Sequence, residues 1–194
     1  MIIVKCLKLI LYGPSWLIFK FFGQNELHKE LQNWVKVLRI DYGSEFKNFM
    51  YYFNKPEYRS VLYWRLGIKA IFLKRITPPL SVLYLSTPSN SVGYGLVIQH
   101  GHSTIINAKS IGNCCQIWQN VTIGKKKPGG LKPVIGNNVS ICTGAVVIGN
   151  IEIGDNVIIG ANSVVTKSVP RNCIVVGNPA RIIRENGIRV EKKL

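Results

Sequence analysis

The sequence predicts a mainly β solenoid preceded by an α-helical region. Three observations carry this. An aliphatic residue recurs every six positions from Ile135 onward, and a small or branched residue recurs in the same frame four positions later. Before residue 80 the apolar pattern follows helical spacing instead. The 194 residues suit one domain, or a core with an appendage, and can bury a core without disulfide staples. With 47% hydrophobic and 10% aromatic residues the chain folds despite a net charge of +16.

The first 22 residues are oily enough to raise the question of a membrane. The longest uncharged run, Leu9 to Phe19, has 11 residues broken by Gly13-Pro14, whereas a spanning helix needs about 20. No small-residue cleavage site follows, which argues against a signal peptide. Two readings stay open: a packed helix, or an interfacial element resting on anionic lipid through Lys5, Lys8 and Lys20. Next, Asn25 is suited to cap a helix carrying Leu27, Leu31, Trp34 and Leu38 on one face. Ser44 is suited to cap another, with Phe46, Phe49, Met50 and Phe53 on one face. Pro56 opens a third helix, which runs toward Lys74 and stops before Thr77-Pro78-Pro79. The aromatic stripe reads as core or subunit interface, and His28 as a surface or interface residue.

From residue 80 the six-residue frame takes over. Its first position holds Ile135, Ile141, Val147, Ile153, Ile159 and Val165; its fifth holds Val139, Ala145, Ile151, Val157, Ser163 and Val169. Upstream the frame catches Ile105, Ile111, Ile117 and Ile123. Such a repeat fits a three-sided coil, with about six residues per side and coils stacked about 4.8 Å apart. The first residue points into the prism, the fifth sits near a corner, and Gly or Asn at the turn tolerates positive φ. The frame breaks once, where Gly, Pro and Lys125-Lys126-Lys127 form a protruding loop. The expected divisions are a helical region 1–79, a solenoid 80–183 with a loop at 124–134, and a C-terminal tail 184–194.

Charge and cysteines bound the setting. Residues 1–92 hold 13 bases and 5 acids, and residues 93–194 hold 12 and 4, so each half carries +8. With no separate basic arm, the spread charge suits a polyanionic partner: nucleic acid, lipid headgroups, an acidic glycan or a phosphate-rich cofactor. Five cysteines without a C-x-x-C pair favour neither a disulfide framework nor a zinc knuckle, and a reducing, cytoplasmic compartment fits. Cys115 and Cys142 read as small apolar packing residues.

The segments GYGLVIQHG (93–101), NVTIG (120–124), SICTGAVVIGNIEIGDNVIIGANSVVTKSVP (140–170) and VVGNPARII (175–183) resemble the hexapeptide-repeat acyltransferases. Those proteins fold as left-handed parallel β-helices. Within them the chain is most similar to the serine acetyltransferase branch and its relatives that acetylate capsular and surface polysaccharides. The resemblance implies an acetyl-CoA-dependent O-acetyltransferase that needs no metal. It implies that His100, in Gln99-His100-Gly101, is the general base, a role suited to an imidazole because its ordinary pKa lies near neutrality. His102 competes for that role or contacts the acceptor; an extended segment would place both rings on one side.

In the family, CoA runs along the groove between subunits over small residues, which here correspond to Thr143, Gly144, Gly160 and Ala161. The oxyanion contact corresponds to backbone at Gly124 and Lys125, and Lys167, Arg181 and Arg184 are candidates for the phosphates. A homotrimer, or a multiple of trimers, is implied. The chain departs from the serine branch at three points: Leu85 stands where an aspartate orients the base, Gln99 replaces the preceding acid, and Lys132 replaces a histidine after the loop. These departures favour a sugar acceptor, with Gln99, His102 and Lys132 contacting it, over L-serine, which stays the alternative.

Two further readings compete with this one. A zinc-dependent carbonic anhydrase on the same fold needs three suitably spaced imidazoles, and the chain has only His28, His100 and His102. A non-catalytic basic scaffold for membrane or polyanion rests on the +16 charge and the oily start. The expected partners are acetyl-CoA and a hydroxyl-bearing acceptor, without nucleic acid, and with peripheral contact to the inner membrane surface left open.

Overall fold

The computed structural model describes residues 2–23 and 25–194, with side chains from Ile10 onward, and divides after Ser81 into a helical unit and a β unit. In the helical unit, α1 (Ile2–Phe22) continues through Gly13 and Pro14. The side chains of Lys5 and Lys8 lie outside the described residues. Helix α2 (Asn25–Leu38) begins at Asn25 and buries Leu27, Leu31 and Trp34, as their spacing requires. In α3 (Glu45–Phe53) the Ser44 hydroxyl accepts from the Lys47 amide at 3.3 Å. Phe49 and Phe53 of α3 are buried while Phe46 stays exposed. Helix α4 (Pro56–Leu66) does not reach Lys74: Gly67 adopts φ +59 and ends it, and a separate turn, α5 (Leu73–Ile76), precedes Thr77. Aromatic rings fill the centre, with Phe19–Phe49 centroids 4.9 Å, Phe49–Phe53 5.2 Å and Trp34–Tyr58 5.3 Å apart.

The β unit is a parallel solenoid of three faces. The first face stacks Val97–Ile98, Gln116–Ile117, Ser140–Ile141, Ile158–Ile159 and Cys173–Val176. The second stacks Leu83–Leu85, Thr104–Ile106, Thr122–Gly124, Val146–Ile148 and Val164–Val165. The third stacks Ser110–Ile111, Val134–Ile135 and Glu152–Ile153. Both the first and the fifth positions of the frame from Ile135 are buried. Burying each aliphatic side chain stabilises by about 1.5–3 kcal/mol. The frame fails at one upstream position: Ile105 is 42% exposed and Ile106, at 1%, points inward in its place. The slip lies after Ile106, from which the inward Ile111 is five residues away and not six; before it the turn from Ile98 to Ile106 takes eight steps, where the next coil goes from Ile117 to Ile123 in six.

At the corner between the third and first faces, asparagines form a ladder. Asn138 Nδ2 donates to Asn156 Oδ1 at 3.2 Å, and Asn156 Nδ2 to Asn172 Oδ1 at 2.9 Å. Asn138, Asn156 and Asn172 all hold φ between 53° and 58°, the left-handed conformation that asparagine tolerates. Residues 184–194 are not a tail. Arg181–Glu185 pairs antiparallel with Cys173–Val176 and with Ile188–Lys193, around Asn186-Gly187, both at positive φ. An Asn-Gly pair is the usual two-residue hairpin turn, a signal independent of the six-residue frame. The outermost strand carries Arg189, Glu191, Lys192 and Lys193, charges that blunt a sheet edge.

Asn156→Ala should lower stability by about 1–2 kcal/mol, because alanine resists the left-handed turn, whereas Asn156→Gly should cost less; urea midpoints of the two variants check the order.

Candidate active site

The long turn between the first and second faces carries His100, His102 and Ser103 to the surface, while Gly101 between them stays buried. His100 (φ 55°) and Ser103 (φ 52°) adopt left-handed backbone, and the His102 amide donates to the His100 carbonyl. The segment is therefore a tight turn, not the extended strand that would align both imidazoles, although both are exposed. Thr104, fully buried, anchors the end of the turn by donating to the carbonyls of Trp118 (3.1 Å) and His102 (3.2 Å). Gln99 Nε2 reaches Gln116 Oε1 at 3.4 Å.

One coil below lies a residue the motif reading missed. The Asn120 amide donates to the His102 carbonyl at 2.9 Å, so Trp118, Gln119 and Asn120 run directly beneath the histidine turn. The Gln119 Oε1 is buried and has no hydrogen-bond partner. The only sequence signal was its place in the repeat, 19 residues after His100.

The same corner continues downward. The Gly144 amide donates to the Gln119 carbonyl at 3.1 Å, and the Asn162 amide to the Thr143 carbonyl at 2.9 Å. Gly144 sits at φ +71, and a Cβ there would lie 2.1 Å from Asn162 Oδ1, so a side chain would be strained and would have to displace the Asn162 amide. A Cβ on Gly160 would meet Val176 Cγ1 at 2.8 Å. Thr143, Gly144, Gly160 and Ala161 thus line one edge with little side-chain bulk. That edge leads to a hollow of about 480 Å³ lined by residues including Lys167, Gly177, Asn178, Arg181 and Lys193. Four coil steps separate it from His100, about 19 Å at strand spacing. Arg184 faces a neighbouring hollow that it shares with Arg181 and Arg189.

The loop residues lie elsewhere. Gly124, Lys125 and Lys132 leave from the corner between the second and third faces. Gly124 stacks over Asn107, where an added Cβ would be 4.0 Å from Asn107 Cβ. A single chain therefore does not bring Gly124, Lys125 or Lys132 to His100; the width of the second face intervenes. Leu85 stands on that face opposite Ile106. No Asp or Glu occurs between Glu57 and Glu152, so the coils around His100 carry no carboxylate. His28, in the helical unit, pairs with Glu45. Among the described residues no three His, Cys, Asp or Glu side chains gather as a metal site.

Residues 132–167 match the family described as bacterial transferase hexapeptide (six repeats). A serine acetyltransferase of Synechococcus elongatus is 40% identical over 137 residues, covering 68% of this chain and 56% of that protein. One from Staphylococcus aureus is 46% identical over 108 residues, covering 54% and 51%. The chain spans about half the length of these curated relatives. Among solved structures, Neisseria gonorrhoeae serine acetyltransferase in complex with serine superposes with a TM-score of 0.61 at 28% identity, covering 80% of this chain and 66% of that one. The soybean serine acetyltransferase apoenzyme gives 0.60 at 26%, covering 84% and 72%. The fold is the hexapeptide-repeat left-handed β-helix preceded by helices. The polysaccharide branch expected from Leu85, Gln99 and Lys132 finds no support here, since these relatives are named for serine.

The cysteines stand apart from this chemistry. Burial pushes the Cys115 thiol up to about 12 and raises that of Cys142, which suits packing and not nucleophilic attack. Peptide mapping after iodoacetamide at pH 8 should find Cys115 alkylated about a thousandfold more slowly than an ordinary exposed thiol.

Proposed function

We propose that this chain, whose solenoid is built from the bacterial transferase hexapeptide repeat, transfers the acetyl group of acetyl-CoA to a hydroxyl, with L-serine the acceptor favoured by its relatives. One observation carries the reading: a single corner leads from an exposed imidazole, past Trp118 and Gln119 and over the small residues of the next two coils, to a basic hollow. That order matches a donor with a reactive thioester at one end, a slender arm between and phosphates at the other. In this reading Thr143, Gly144, Gly160 and Ala161 face the arm, and Lys167 and Arg181 meet phosphates, with Arg184 beside them.

His100 accepts the proton of the acceptor hydroxyl while that oxygen bonds to the thioester carbonyl carbon. It returns the proton to the departing sulfur, so no covalent enzyme intermediate is needed. General-base help of this kind contributes about 10²–10⁴ in rate. Gln119, beneath the turn, holds a buried carbonyl oxygen without a partner; rotated outward, it would accept a hydrogen bond from the acceptor, serving a serine ammonium where no carboxylate stands. A homotrimer gives the displaced loop a role: backbone at Gly124 and Lys125 of one copy would face the developing oxyanion at the His100 corner of the next, with Lys132 and His102 near the acceptor. Acetyl-CoA as donor agrees with the cytoplasmic setting that the cysteines suggest.

One observation favours a second acceptor. The absence of acids between Glu57 and Glu152 leaves a cationic acceptor without a counter-charge and suits a neutral or acidic sugar hydroxyl, which Gln99 and Lys132 would contact.

Mass spectrometry of reactions with acetyl-CoA and either L-serine or a panel of oligosaccharides separates the two. O-acetylserine is the expected product; acetylated sugar without it would shift the assignment to the second acceptor. His100→Asn, which tolerates the left-handed turn, should keep the unfolding temperature and lower turnover by at least about 10²; unchanged turnover removes His100 from the reaction. Gln119→Leu should raise KM for the acceptor more than that for acetyl-CoA.

A further inference from the structure

We propose that the helical unit docks on an anionic lipid bilayer through a patch made by the exposed side of α1 and the segment Gly67–Ile76. This rests on the helical unit alone and is independent of the acetyl-transfer reading. On α1, Ile10, Pro14, Leu17 and Phe21 fall at helical spacing and are all exposed. At the end of α1, Phe22 lies under Lys69, whose Nζ is 5.0 Å from the ring centroid. That contact joins the helix to a second exposed set, Ile68, Ile71, Phe72 and Ile76. Phe21, Ile68 and Phe72 are 79%, 82% and 80% exposed, in a unit that buries Phe19, Phe49, Phe53 and Trp34 almost completely. The unit has enough aromatic residues for its core, so this apolar face is surplus to folding.

Charge selects the occupant. Lys69, Lys74 and Arg75 are interleaved with these apolar side chains and are exposed, whereas Lys20 is paired with Glu45 of α3 at 2.9 Å. No Asp or Glu occurs in residues 1–25 or 58–81. A second copy would bring the same bases face to face while carrying +16 itself, so self-association through this patch is opposed by like charge. A bilayer satisfies both chemistries. Phenyl and isoleucyl groups reach the acyl boundary, and the ammonium and guanidinium groups stay at the headgroup phosphates. The orientation follows as well: no helix among the described residues is long and apolar enough to cross a membrane, so α1 lies in the interface plane.

The test is co-sedimentation of the full chain with extruded vesicles of phosphatidylcholine alone, or with three parts phosphatidylcholine to one part phosphatidylglycerol. Binding is expected only to the mixed vesicles, and 0.5 M NaCl should weaken but not abolish it, because inserted apolar groups are not screened. Lys69→Gln and Lys74→Gln should each lower partitioning about fivefold. The double variant Ile68→Ser, Phe72→Ser should lose binding while its circular dichroism and unfolding temperature stay unchanged, since both side chains are exposed. Three results overturn the proposal. One is equal binding to uncharged vesicles or none to either. A second is complete loss of binding in salt, which would mark a purely electrostatic polyanion site. The third is a fall in oligomer mass for the double variant with vesicle binding intact, which would assign the patch to contact between copies.

Discussion

A three-sided coil leaves room inside for one inward side chain at each step, and that limit governs the β unit. Down the first face Ile98, Ile117, Ile141, Ile159 and Val175 stack in register, each nearly inaccessible. The main chain between coils is locked by ladders such as Gln116 N to Val139 O and Ser140 N to Val157 O, both 2.9 Å. With the interior filled by aliphatics and the faces committed to pairing, corners are where the chain is free to vary. Extra residues at a corner enter solvent and disturb no rung, and the entropic cost of lengthening such a loop grows only slowly. The chain uses two corners in this way, for the histidine turn and for the lysine loop, and fills the third with an asparagine ladder.

How much of this was legible follows from the range of each interaction. The frame from Ile135 onward could be read directly, since each six-residue side obeys the same local rule. The inward role given to Ile105 failed because the inward Ile106 lies five residues before Ile111 and not six, and a one-residue slip reverses which side chain points in. The third helix was drawn too long because the apolar pattern continues past Gly67, while a single backbone dihedral ends the helix there. The local motif nominates His100 for the site proposed above. No such motif marks Gln119, because its position under His100 exists only after coils stack. The displacement of Gly124, Lys125 and Lys132 to another corner is of the same kind: a broken frame announces a loop without saying which corner releases it.

The histidine turn also bears on what would orient the base proposed at His100 without an acid. Leu85 offers no polar atom, and the coils nearby carry no carboxylate. What the chain supplies instead is backbone. His100 is held in the left-handed region, which costs a non-glycine residue roughly 1–3 kcal/mol and persists only where its surroundings enforce it. Those surroundings are identifiable: the His102 amide on the His100 carbonyl, the Asn120 amide on the His102 carbonyl, and buried Thr104 closing the turn. A main chain fixed at these points confines the direction in which the Cα–Cβ bond leaves the corner, so in the proposed reaction the turn would do the positioning that a hydrogen-bonding aspartate would otherwise share. The extra residues that upset the six-residue frame and the exposure of the imidazole are then one structural fact. A regular six-residue turn, such as the one at Ile117 to Ile123, keeps its main chain against the prism.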